Sequence, residues 1–119
     1  KPAERIRREG KFHPLIGAGA AVQIWLGEKP APPSGLAELL TWAYRDTSCR
    51  QLIFSPEFTA CRDCGGTFPG LKSRCDRCSS AHVDGIAKIT QYYSRVADWN
   101  KGKIAELGDR RRHEQFDFP

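Results

Sequence analysis

The sequence predicts a small α+β domain in which a zinc-ribbon hairpin with four cysteine ligands is flanked by short strands and two helices. Three observations carry this. Two C-x-x-C pairs sit ten residues apart in "CRDCGGTFPGLKSRCDRCSS", short stretches alternate apolar and polar residues, and two segments repeat apolar residues at helical spacing. At 119 residues the chain is expected to form a single domain. Its parts are a strand and helix region over 1–58, the ribbon over 59–82, and a segment ending in a helix over 83–119.

The first strand is expected over Ala21–Leu26, with Val22, Ile24 and Leu26 on one face, ending in the Pro-rich turn "KPAPPSG". Ser34 is placed to cap the helix that follows. In that helix Leu36, Leu39, Leu40, Ala43 and Tyr44 recur at i, i+3, i+4, i+7 and i+8, the spacing of one apolar stripe. "RQLIFSPEF" reads as a second strand ended by Pro56, immediately before the cysteines. Beyond them, Val83–Val96 reads as a hairpin or extended segment. Asp98 is placed to cap a last helix whose Ile104 and Leu107 point inward, with Gly102 and Gly108 weakening it.

Composition bounds the function classes. A hydrophobic fraction of 39% and a charged fraction of 28% are those of a soluble globular protein, and no apolar run approaches the roughly 20 residues of a spanning helix. The first residues lack the apolar core of a secretory signal, so a reducing, cytoplasmic setting is expected. A chain that begins at Lys1 and contains no methionine hints at processing or at a fragment. The net charge of +5 permits contact with nucleic acid by counterion release, especially through Arg110, Arg111 and Arg112. An acidic protein partner is served equally well, and a charge run is more often a solvated face.

The strongest chemical signal is Cys61, Cys64, Cys75 and Cys78. A two-residue gap lets both sulfurs of a pair reach one ion at about 2.3 Å while backbone N–H groups of the same turn point at sulfur. Gly65 and Gly66 are expected to give the first turn its freedom. Arg62, Arg74 and Arg77 are expected to offset the negative charge of a Zn²⁺ ion held by four thiolates. Disulfides do not suit a reducing compartment, and an iron–sulfur cluster less often uses this paired spacing. With four protein ligands no position remains for a metal-bound water, so the ion is expected to stabilise a fold rather than catalyse.

Cys49, alone in "DTSCRQ", is expected to be an inert small apolar residue. His13 and His113 lack ligand or triad partners at recognisable spacing, and His82, just after the second pair, is kept only as a replacement ligand. Tyr92, Tyr93 and Trp99 are expected either to cover the ribbon or to meet another chain.

The order "GKFHPLIGAGAAVQIWLGE", "FSPEFTACRDCGG", "CDRCSS" and "KITQYYSRVADWNKGKIAELGDR" resembles the C-terminal part of the anaerobic (class III) ribonucleoside-triphosphate reductases, over about Gly10 to Arg110. The resemblance implies a ribbon with zinc on four cysteines, followed by a loop whose glycine carries a stable backbone radical made by an activating enzyme. The family motif there reads like R-I-T-G-Y. This chain reads Lys88-Ile-Thr-Gln-Tyr92, so Gln91 stands where the radical glycine is expected, and Gln23 stands where histidine is expected. A radical carbon needs to flatten between its amides, and a side chain there obstructs it. The resemblance thus implies a noncatalytic zinc module acting as a structural or regulatory subunit, with a larger protein or a ribonucleoprotein as partner. Two alternatives stay open: a part of a working reductase, and a zinc ribbon bound to RNA.

Overall fold

The computed structural model describes residues 1–113. The last six residues of the segment expected over 83–119 lie outside the described residues. Among those described are three α-helices, two 3-10 turns and seven short strands. The strands form two sheets, one in the order β2-β1-β7 and one in the order β4-β3-β5-β6. Here β1 is Val22–Leu26, β2 Leu52–Ser55, β3 Phe58–Cys61, β4 Thr67–Pro69, β5 Val83–Lys88, β6 Tyr93–Arg95 and β7 Arg112–His113. The chain divides into two compact units: one comprises Lys1–Ile24 and Ala31–Phe54 together with His113, the other Trp25–Pro30 and Ser55–Arg112.

The first unit opens with a helix that the apolar pattern did not announce. Helix α1, Pro2–Gly10, has proline at its start, Glu4 in its first turn and Arg7 and Arg8 in its last, each sign on the favourable end of the helix dipole. Arg5 Nε donates to Glu9 Oε1 at 2.7 Å, one turn on. Ala3, Ile6 and Gly10 share its buried face. Gly10 has to be glycine, because a Cβ there would lie 2.9 Å from the backbone nitrogen of Cys49. With so narrow an apolar face in a charged stretch, α1 falls below what periodicity detects, and the expected two helices become three.

Helix α2, Pro33–Asp46, begins one residue before the expected cap. Pro32 occupies the capping position with extended backbone and no side-chain hydrogen bond, and Pro33 starts the helix, where its missing N–H costs nothing. Ser34 therefore lies inside the first turn. The buried stripe is also narrower than expected. Leu39 and Ala43 are buried, whereas Leu40 and Tyr44 are 46% and 86% exposed. Val22 and Ile24 are buried as the alternation requires.

In the second unit β3 is the organising strand. It pairs antiparallel with β4 in the register Phe58↔Pro69 to Ala60↔Thr67, and with β5 in the register Phe58↔Ile86 to Cys61↔Val83. The expected hairpin after the cysteines is present as β5 and β6, paired Ile86↔Arg95 to Lys88↔Tyr93. The C-terminal helix α3, Lys101–Asp109, is capped by Asn100, whose Oδ1 accepts from the Lys103 backbone N–H at 2.9 Å. Asp98 instead closes the 3-10 turn Val96–Asp98. Leu107 is buried as expected, but Ile104 is 43% exposed.

Candidate metal centre

Each cysteine pair sits in a turn that the backbone closes on itself, and the two turns repeat one hydrogen-bond pattern. In the first, the Cys61 N–H donates to the Gly66 carbonyl at 2.8 Å and the Gly65 N–H to the Cys61 carbonyl at 3.1 Å. In the second, the Cys75 N–H donates to the Ser80 carbonyl at 2.9 Å and the Ser79 N–H to the Cys75 carbonyl at 3.0 Å. The fourth residue after each leading cysteine takes a left-handed backbone, Gly65 at φ +70 and Ser79 at φ +59. Gly66 does not share that conformation. Its size is limited instead by Phe68, whose ring a Cβ would approach to 2.7 Å. Register holds the turns together: Cys61 ends β3 and faces Val83, and the Arg62 N–H donates to the His82 carbonyl at 2.9 Å.

The four sulfurs converge. Cys61 and Cys78 lie 3.7 Å apart, Cys64 and Cys75 3.5 Å apart, and all four sulfurs are within 4.8 Å of one another. Tetrahedral zinc with bonds of about 2.3 Å puts its sulfurs roughly 3.8 Å apart, so the site fits that ion. The Arg77 and Cys78 N–H groups donate to Cys75 Sγ at 3.3 and 3.5 Å. Burial pushes the Cys75 thiol up, but those donors outweigh it and bring it down to about 6. At Cys78 the Ser80 N–H pulls down, while burial and the hydrogen bonds with Cys61, Cys75 and Cys64 push its thiol up to about 12. Such a cluster holds thiolates side by side only when a cation replaces their protons.

The side chains of Arg62 and Arg74 have protein partners beside the cysteines. Arg62 forks onto Asp84 through Nε at 2.8 Å and Nη2 at 2.6 Å. Arg74 Nη1 donates to the Ser79 carbonyl at 3.1 Å, bracing the strained second turn. His82 is outside the sulfur cluster. Its Nδ1 lies 3.2 Å from both carboxylate oxygens of Asp63, and its backbone N–H donates to Ser80 Oγ at 2.9 Å. The Ser80 hydroxyl in turn donates to Asp63, and these two partners hold the Asp63 carboxyl below its ordinary range. Asp63 and Ser80 thereby latch one cysteine turn to the other, a link that nothing in the sequence separates from ordinary surface polarity.

Gln91 lies exposed at the tip of the β5–β6 hairpin, in the turn Ile89–Tyr92, where the Ile89 N–H donates to the Tyr92 carbonyl at 2.9 Å. Thr90 next to it has φ +44. Tyr92 is 60% exposed, and Tyr93 packs its ring 6.0 Å from Phe58. Trp99 is half-buried and donates from Nε1 to Ser94 Oγ at 2.7 Å.

Of the three arginines expected at a basic end, Arg111 and Arg112 are exposed and Arg110 is buried. The Arg110 guanidinium lies 3.7 Å over the Trp25 ring and 5.3 Å from that of Trp99. It bonds Glu106 through Nε at 2.8 Å and Nη2 at 3.1 Å, and approaches Glu57 through Nη1 at 3.5 Å. Arg112 meets the other face of the same carboxylate, with Nε 2.5 Å from Glu57 Oε2. Glu57 is 1% exposed, and Arg110 and Arg112 are the cations that balance its buried carboxylate. Cys49 donates its thiol to the Gln51 carbonyl at 3.4 Å, and burial pushes that thiol up, away from the nucleophilic thiolate.

Known proteins place this geometry. No curated protein sequence matches the chain. A solved structure titled anaerobic ribonucleotide reductase shares its fold, with a TM-score of 0.68 and 24% identity over 92% of this chain and 17% of its own. The anaerobic ribonucleotide reductase from Thermotoga maritima, with MES in the active site, gives a TM-score of 0.61 and 27% identity over 80% of this chain and 15% of its own. The same reductase with glycerol in the active site gives 0.60 and 26% over 84% and 16%. The chain thus spans no more than 17% of these three reductase chains. The model of the family described as anaerobic ribonucleoside-triphosphate reductase matches residues 1–113, which covers both cysteine turns, the hairpin tip and α3. The chain belongs to the anaerobic ribonucleoside-triphosphate reductase family.

Proposed function

We propose that this chain is a zinc-held, noncatalytic module that acts as a structural or regulatory companion of a larger reductase-like protein in the cytoplasm. The observation that carries the metal is the convergence of four thiols within 4.8 Å at the junction of β3 and β5. Zn²⁺ bound by Cys61, Cys64, Cys75 and Cys78 has no open position, so its contribution is folding energy. Cysteine ligands need a reducing environment, which favours the cytoplasm.

The noncatalytic part rests on residue 91. By resemblance this position carries the radical glycine of the family, and here it is Gln91 on an exposed tip. The partner rests on size, since relatives carry the same fold within chains of which it forms no more than 17%. That same proportion favours the second reading, in which the chain is one part of a working reductase.

An electron paramagnetic resonance experiment separates them. The chain, mixed with the activating enzyme of a family member, is expected to give no radical signal on residue 91. A signal that depends on the activating enzyme and is located in this chain would support the working-enzyme reading. As a positive control, Gln91→Gly puts glycine at the motif's fourth position without disturbing any buried group.

A further inference from the structure

We propose that Arg110 is a positioning residue that stands in for a missing strand donor and fixes the base of the hairpin tip. Phe58 faces Ile86 at the start of the β3–β5 pairing, so the next β5 residue of the same orientation, Lys88, would face Pro56. Pro56 has no N–H and cannot extend the ladder. The Lys88 carbonyl therefore lacks a backbone donor on that side, at the residue where β5 gives way to the tip. Arg110 Nη2 donates to it at 2.9 Å.

The guanidinium is held for this task on every side. Glu106 takes Nε and Nη2, Glu57 lies 3.5 Å from Nη1, and Trp25 and Trp99 flank its plane. Its side chain is 2% exposed. Glu57 also directly precedes the strand that ends in Cys61, so a single cation links the entrance of the ribbon to the foot of the tip. Lysine is a poor replacement. A compact ammonium cannot serve Glu106, Glu57 and the Lys88 carbonyl together. The tip that carries Gln91 is thereby presented in one conformation, whatever partner it meets and whether or not residue 91 is ever activated.

Amide hydrogen exchange on the full zinc-loaded chain tests this. R110K is expected to raise exchange at the Ile89 amide about tenfold, the worth of one hydrogen bond to a charged donor. The Cys61 and Cys75 amides, closed within their own turns, are expected to stay unchanged. P56A alone is expected to leave Ile89 unchanged. In the P56A/R110K double variant the new N–H at position 56 can reach the Lys88 carbonyl, and protection at Ile89 is expected to return. Three results would overturn the proposal: an unchanged Ile89 in R110K, an equal rise at Cys61 and Cys75, or no recovery in the double variant. The wild-type chain decides the matter if R110K does not fold. A through-hydrogen-bond NMR coupling between the Arg110 side-chain nitrogen and the Lys88 carbonyl carbon is then expected, and its absence overturns the proposal.

Discussion

Gly65 and Ser79 hold the same place in the two cysteine turns, and the difference between them has a measurable consequence. Both have left-handed backbones, yet only Gly65 adopts one without a Cβ penalty. Nothing lies within 4 Å of a Cβ built on Gly65, so Gly65→Ala carries the backbone cost alone, about 1–2 kcal/mol. Ser79→Gly removes that strain but frees the unfolded chain by roughly 0.4–1 kcal/mol, so it is expected to be neutral to mildly stabilising. Urea unfolding of the zinc-loaded variants checks both. The convergence of the four cysteines was legible from spacing, because two C-x-x-C turns suit one shared ion. The αL serine was not, because serine carries no sequence mark of that backbone. The buried pairing of Glu57 with Arg110 and Arg112 was equally hidden, since its members lie 53 and 55 residues apart. Glu57→Ala leaves two cations facing a buried gap and is expected to cost about 3–5 kcal/mol by the same unfolding measurement.

Among the elements, those whose burial follows a clean period were legible: β1, the body of α2 and the β5–β6 hairpin. Their ends were not, because caps depend on local geometry that several residues can supply. Pro32 and Asn100 took the places expected of Ser34 and Asp98. Helix α1 escaped because ion pairs and end charges support it as much as its narrow apolar face does. Helix α3 offers a test of charge. Arg110, with Lys103 also contributing, holds the Glu106 carboxyl below its ordinary value. A carboxyl whose folded pKa lies below the unfolded value of about 4.3 binds fewer protons in the folded chain, so its stabilisation is present above that value. It is lost as pH falls through the lower folded value. Asp63 and Asp84 are depressed likewise by their own partners and act in the same direction. Stability is therefore expected to fall on acidification below about pH 4, and Glu106→Gln is expected to flatten part of that fall in thermal unfolding scans across pH.

For the whole molecule, the α+β class and the family were legible because the ribbon and the run after it combine specific spacing with specific order. The burial of Arg110 was not, since charge in sequence says nothing of which acid it meets. Among the described residues no helix is long and apolar enough to cross a membrane. If one zinc on four thiolates holds this fold, X-ray absorption at the zinc edge of the chain, isolated under reducing conditions with its metal content counted, will read it out. One zinc per chain is expected, with four sulfur neighbours at about 2.3 Å. Nitrogen or oxygen in the first coordination sphere, an iron–sulfur signature, or a folded chain with no bound metal would contradict it.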